Sequence, residues 1–565
     1  MSKYDRLPEE SAPLVILYFV VLAAVFGGAI LPKAFALPPQ TSEQNSPLSQ
    51  VWQPDLGDGR YKNPVLYADY SDPDVIRVGP DFYLVSSSFN MVPGLPILHS
   101  RDLVNWEIIG HAFVNQEPGD RFERPNHGNG VWAPALRFHH GEFFLFYPEP
   151  DTGIYMTKAK TITGPWSRPL LIKAGAGWID PCPFWDDNGN AYLINAFAAS
   201  RSGIKSTLTI SRMSTDGTRL LDGGTIVVDG HPADPTLEGP KLYKRNGWYY
   251  IFAPAGGVPT GWQVVYRSKN IYGPYERRVV LAQGSSSVNG PHQGAWVTTE
   301  AGEDWFLHFQ DQGPYGRVVW LEPMTWKDNW PVVGVHVNAA GTGEPTLTFH
   351  KPSVHAPTPR QTPADSDEFN APQIGPQWQW QANSKPGWAF PSAALGALRL
   401  IAIPPTENRD PNLWDVPNVL TQKLPGPAFS ATARVAFTSQ FAGEETGLVV
   451  NGMSYGYVAL RSTGSGFEVR CVQRKDAHHS GELTISPSQI VRSNTVYLRA
   501  TMQQGALVTF SYSEDGTNFT PIGSPFQAEA GRWIGATIGL FALGTKDTGE
   551  HGYADYDWFR FTPAP

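Results

Sequence analysis

Cysteine is nearly absent from this 565-residue chain: only Cys182 and Cys471 occur. They stand far apart in sequence, so no disulfide framework, CxxC redox motif or thiolate zinc site is expected, and Cys182 reads as a small buried hydrophobe. Charge is also sparse, at 17% of residues, and the net value of −9 comes without a basic stripe. That balance excludes a nucleic-acid partner. There is no glycine-rich phosphate loop, and convincing helix-period runs are scarce. What the chain has instead is 56 Gly, 51 Pro and 12% aromatic residues. This composition predicts an all-β protein rich in turns, and the length exceeds one ordinary core, so at least two domains are expected.

One long uncharged stretch stands at the N-terminus. Residues 12–32 carry no charge and include Leu14-Val15-Ile16-Leu17, and Ala34-Phe35-Ala36 then offers a small-x-small cleavage site. Residues 1–36 read as an export signal removed after Ala36. The run is also long enough to span a bilayer, so an uncleaved anchor is the alternative. On either reading the remainder is exported, periplasmic or extracellular, and meets a membrane only through this segment. Residues 37–60 then form an N-terminal linker.

A repeated unit dominates the next 280 or so residues, about 50–60 residues per copy, a spacing that indicates propeller blades. Asp72-Pro73-Asp74-Val75-Ile76 runs into a turn at Gly79 and then Phe82-Tyr83-Leu84-Val85. The same order recurs at Leu136-Arg137-Phe138 with Gly141, at Pro183-Phe184-Trp185 with Asn188-Gly189, at Lys241-Leu242-Tyr243 with Asn246-Gly247, and more weakly after His292. Asn-Gly between aromatic and β-branched runs marks a hairpin, because glycine accepts the positive φ of a tight turn. Residues 61–343 are therefore expected to form a five-bladed β-propeller. Residues 344–364, punctuated by five prolines, read as an extended linker. Residues 365–565, with alternating runs such as Ala431-Thr432-Ala433-Arg434-Val435, read as a β-sandwich of jelly-roll type.

Three carboxylates fall at matching places in the repeat: Asp72 and Asp180 each just before a proline, and Glu238 in Glu238-Gly239-Pro240. The first strand of a blade lies nearest the axis, so these acids are expected to face one pocket. Converging carboxylates are the groups that acid–base hydrolysis of a glycosidic bond needs: one protonated acid for the leaving oxygen, one carboxylate for water. Glu238, with the longer side chain, is the better acid, and Asp180 would tune it by like-charge repulsion. Asp72 or Asp74, which alternation places on the same face, would be the base. The 19 Trp and 22 Tyr suit sugar stacking, although core packing is the commoner fate of an aromatic side chain.

Several ordered motifs here resemble glycoside hydrolase family 43. They are Asn63-Pro64-Val65-Leu66, Ser71-Asp72-Pro73-Asp74-Val75-Ile76-Arg77, Leu98-His99-Ser100-Arg101-Asp102, Gly130-Val131-Trp132-Ala133-Pro134 and Glu238-Gly239-Pro240-Lys241. The tail beyond Asp365 is similar to the concanavalin-like sandwich that follows the propeller in the β-xylosidases of this family. The resemblance implies an inverting mechanism with Asp72 as general base, Asp180 as pKa modulator and orienter, and Glu238 as general acid. It also implies that Phe89, Trp132 and Arg317 contact the terminal sugar and that His292 supports the site. No cofactor is required for the chemistry. A structural Ca²⁺ is expected near the channel histidine or, in the sandwich, between Asp367 and Asp555. The implied substrates are xylo-oligosaccharide, arabinoxylan or arabinan, cleaved by an exo-acting β-D-xylosidase, α-L-arabinofuranosidase or both. An endo-arabinanase and a non-catalytic carbohydrate-binding protein are the alternatives.

Overall fold

The computed structural model describes residues 48–405 and 411–565. The expected export signal or membrane anchor, residues 1–36, and the first part of the following linker lie outside the described residues. Among the described residues no helix is long and apolar enough to cross a membrane.

Five four-stranded antiparallel sheets form the blades of a propeller, each with its strands in chain order from the axis outward. The innermost strands are Asp74–Val78, Ala135–His139, Trp178–Trp185, Lys241–Arg245 and His292–Thr298. Neighbouring blades share apolar cores. Leu84 and Leu98 of the first blade pack with Leu307 and Leu321 of the fifth, and Ile194 of the third packs with Leu242 and Ile251 of the fourth. The segment that precedes the first blade is laced onto the fifth. Asn63 donates from Nδ2 to Leu321 O and accepts the Leu321 N–H at its own Oδ1 (2.8 and 2.9 Å), and Leu66 bridges to Val319.

The second half is a sandwich of an eight-stranded and a seven-stranded antiparallel sheet. Period-2 alternation places Ala431, Ala433, Val435 and Phe437 of the strand Phe429–Thr438 in its core. That core also takes in Val92 and Tyr315 from the propeller. Residues 344–364 do not hang free. Thr348–His350 pairs with Arg60–Lys62, and Lys351 Nζ lies 2.7 Å from both Asp55 Oδ2 and Asp102 Oδ2. The segment is a strap bound across the first blade.

Candidate active site

The three register-matched acids open the innermost strands of the first, third and fourth blades, at the same end of the channel. Asp72 and Asp180 hold left-handed backbone (φ 55° and 54°), and Glu238 is followed by Gly239 at φ 58°. Left-handed non-glycine residues cost roughly 1–3 kcal/mol each and cluster where function over-determines them. At Gly239 a Cβ would stand 2.8 Å from the Gln293 side chain, so a larger residue there would have to displace it.

Each acid has a different setting. Asp72 is 5% exposed. Its Oδ2 accepts the Ser87 hydroxyl at 2.5 Å, and Arg317 Nη1 stands 3.3 Å from both of its oxygens. Ser87 Oγ also accepts the Ala133 N–H at 2.8 Å, tying the carboxylate to the second blade. Asp180 is 4% exposed and accepts the Gly239 N–H at 2.7 Å. Burial first, then the charge of Glu238, then that of Asp72, pushes the Asp180 carboxyl well above the usual range. Glu238 is the open one of the three, with its side chain 25% exposed and Oε1 3.2 Å from Nε2 of buried His292. The Gly239 N–H is the leading influence that opposes the rise at Asp180.

Asp74 has a different task. Its Oδ2 accepts the Leu136 N–H and the Arg137 guanidinium, both at 2.7 Å, and Lys241 Nζ lies 3.8 Å from its Oδ1. Two cations thus hold it, and Asp72 is the member of the pair that meets Arg317.

Phe89 and Trp132 come together with ring centroids 6.4 Å apart. Phe89 is held by reciprocal backbone bonds to Val131, and Trp132 is fixed by Nε1 donating to Gly128 O and by Arg201 over its ring at 5.2 Å. The Arg317 guanidinium covers Phe309 at 5.0 Å, and His292 packs on the same ring at 5.2 Å.

Three residues at the site carry no local sequence signal strong enough to single them out. Ser87 was one of three consecutive serines before Phe89. Trp533, from the sandwich, stands T-shaped against Trp132 at 6.4 Å and is 50% exposed. Its hint is an aromatic residue between Gly531 and Gly535. Asp69 is buried behind Arg317, accepting that residue's N–H at 2.8 Å.

The calcium pair expected in the sandwich does not form. Asp367 faces Phe559 across its bridge, whereas Asp555 pairs with Arg399, which separates them by about 13 Å along one strand. Both Asp555 oxygens accept from Arg399 (2.7 and 2.8 Å), and Asp367 accepts the Phe369 N–H and the Trp378 indole (2.8 and 3.0 Å). In the channel, His292 offers only nitrogen and Asp74 is already neutralised by Arg137. Outside the three acids, these residues do not fit a calcium ion, which takes oxygen ligands.

Residues 61–331 match the family described as glycosyl hydrolases family 43, and residues 366–562 match the β-xylosidase C-terminal concanavalin A-like domain. A putative β-xylosidase of Xylanibacter ruminicola is 39% identical over 487 residues, 86% of each chain. This chain belongs to glycosyl hydrolase family 43. It is a glycosidase with an all-β propeller and a concanavalin-like sandwich. A non-reducing end α-L-arabinofuranosidase, BoGH43B of Bacteroides ovatus, is 28% identical, with 90% of this chain and 95% of that one covered. The crystal structure of the family 43 protein BlXynB from Bacillus licheniformis superimposes with a TM-score of 0.76 at 26% identity, covering 89% of this chain and all of that one.

Proposed function

We propose that this family 43 enzyme is an exo-acting, inverting glycosidase that releases β-D-xylose, with α-L-arabinofuranose as the second sugar, from plant cell-wall oligosaccharides. The reading is carried by the unequal settings of its three acids. Asp72, buried against the Arg317 guanidinium and the Ser87 hydroxyl, is held in place to take a proton from water. Glu238, the open acid beside His292, delivers its proton to the leaving oxygen. Asp180, bonded to the Gly239 N–H, orients the loop carrying Glu238. The proton lost by water goes to Asp72 as the Glu238 proton goes to the glycosidic oxygen, so the two carboxyls exchange states in one displacement.

The sugar class is supported by the relatives named β-xylosidase and α-L-arabinofuranosidase. Exo action is supported by a rim in which Trp132 meets Phe89, two residues beyond the Ser87 that holds Asp72, and Trp533 of the sandwich. The test pairs para-nitrophenyl β-xyloside with para-nitrophenyl α-L-arabinofuranoside, then xylo-oligosaccharides and arabinoxylan. Monosaccharide alone is expected, with xylose appearing first as its α-anomer by NMR. A ladder of oligosaccharides would remove exo action, and β-xylose as first product would remove inversion. Glu238→Ala should lower kcat by about 10²–10⁴-fold on poor leaving groups while xylose still binds. Residues 1–36 are proposed to direct export, which N-terminal sequencing of the secreted protein checks.

A further inference from the structure

Asp69 lies outside the repeat motif, yet its two oxygens serve two domains. Oδ1 accepts the N–H of Arg317 at 2.8 Å, and Oδ2 accepts the N–H of Gly535, 466 residues downstream in the sandwich, at 3.0 Å. The next residue, Tyr70, donates its own N–H to Arg317 O at 3.1 Å. Asp69 and Tyr70 therefore grip both polar ends of Arg317, whose guanidinium then meets Asp72. Gly535 is two residues beyond Trp533.

The backbones at this junction touch directly. Gly316 has φ 74° and ψ −150°, a region essentially confined to glycine, and a Cβ there would sit 2.5 Å from the Asp69 side chain. A Cβ on Gly535 would sit 2.7 Å from Gly316 N and 2.8 Å from Tyr315 C. Ala536 N–H donates to Pro314 O at 2.7 Å, completing the contact. Burial pushes the Asp69 carboxyl up, and the charge of Lys423, also from the sandwich, is the leading opposing influence.

We propose that Asp69 is a positioning residue of the active site, a clasp that sets Arg317 behind the base and the Trp533 segment at the rim from one buried carboxylate. This rests on the proposed roles of Arg317, Asp72 and the rim. A carboxylate whose only task was to close a local turn would bond N–H groups near it in sequence. Asp69 instead bonds the two segments that bring the fifth blade and the sandwich to the substrate.

The test uses the full chain with Asp69→Asn, which keeps one acceptor oxygen and loses the other, and with Gly535→Ala, which crowds the sandwich segment against the fifth blade and keeps both Asp69 oxygens. Asp69→Asn is expected to lower kcat on para-nitrophenyl β-xyloside and to raise KM for xylobiose, each by about tenfold (about 1.4 kcal/mol). Gly535→Ala is expected to raise the xylobiose KM while kcat on the aryl xyloside stays within about threefold of wild type. In a Trp533→Ala background, Asp69→Asn should raise the xylobiose KM by less than in wild type, because one of the two contacts it positions is gone; an undiminished rise there would overturn the clasp. So would Asp69→Asn with unchanged kinetics in an active wild-type enzyme, or a lower Tm alone. If Asp69→Asn yields no soluble protein, Gly535→Ala carries the decision, and a wild-type xylobiose KM for that variant would overturn the proposal. An inactive wild type on both aryl glycosides would instead overturn the proposed function.

Discussion

Asp180 sets chemistry against stability within one side chain. Its carboxyl is raised by burial and by the charges of Glu238 and Asp72, so the folded state resists its ionisation. An ordinary aspartate in the unfolded chain titrates near pH 3.9. The resulting penalty is absent below about pH 4, grows as pH rises towards the folded value, and is constant beyond it. Asp180→Asn removes the titration and keeps an oxygen for the Gly239 N–H. It should therefore have a higher Tm than wild type at pH 7, with the gap closing by about pH 4, while kcat falls by about 10²-fold or more. Calorimetry at the two pH values together with steady-state kinetics checks this, and a gap that widened in acid would reverse the argument. The three acids were legible in sequence because each sits in a short local motif before a proline. Ser87, Asp69 and Trp533 were not, because their functional partners are set by packing: Ser87 by the second blade's Ala133 N–H, Asp69 by Gly535, and Trp533 by Trp132.

The propeller strands were readable as elements because Gly-centred turns and aromatic runs repeat at one spacing, and hairpin pairing is local. Elements held by distant partners were less so. The prolines of residues 344–364 predict extension but not what the strap binds. Its fixed point is Lys351, whose ammonium lies between Asp55 and Asp102, while Asn105 Nδ2 donates to both carboxylates (2.9 and 2.7 Å). Burial opposes charge on Asp102, yet Lys351 and the surrounding hydrogen bonds hold it below the usual carboxylate range, and Asn105 and Lys351 do the same for Asp55. Lys351→Met would leave two facing carboxylates without their cation and should cost about 3 kcal/mol, read by chemical denaturation, with new protease sensitivity in the strap. The sign in acid follows from the depressed values. The stability these two groups supply is complete above about pH 4 and is lost as pH falls through their folded values, so the difference between Lys351→Met and wild type should shrink in acid.

At the scale of the whole molecule, the sequence separates a propeller from a sandwich, but the packing joins them. Val92 and Tyr315 of the propeller are buried in the cluster that holds Trp378, Trp380, Leu420 and Phe429. Val92 and Trp380 exchange backbone hydrogen bonds (3.0 and 2.6 Å), and the Tyr315 hydroxyl donates to Pro427 O at 2.8 Å and accepts the Ala506 N–H at 2.9 Å. His127, one residue before the Gly128 carbonyl that fixes Trp132, stacks on Trp414 of the sandwich at 3.6 Å. A domain boundary drawn through the strap would expose these apolar side chains and leave the buried Asp69 carboxylate without its Gly535 donor, an arrangement that costs free energy in both halves. The full chain is therefore expected to unfold in one calorimetric transition, and a chain ending at Ala364 should be insoluble or lack the near-ultraviolet signature of fixed tryptophans. Two resolved transitions, or a truncated propeller that hydrolyses xylobiose with the wild-type KM, would show instead that the sandwich is an appendage and that the rim is complete without it.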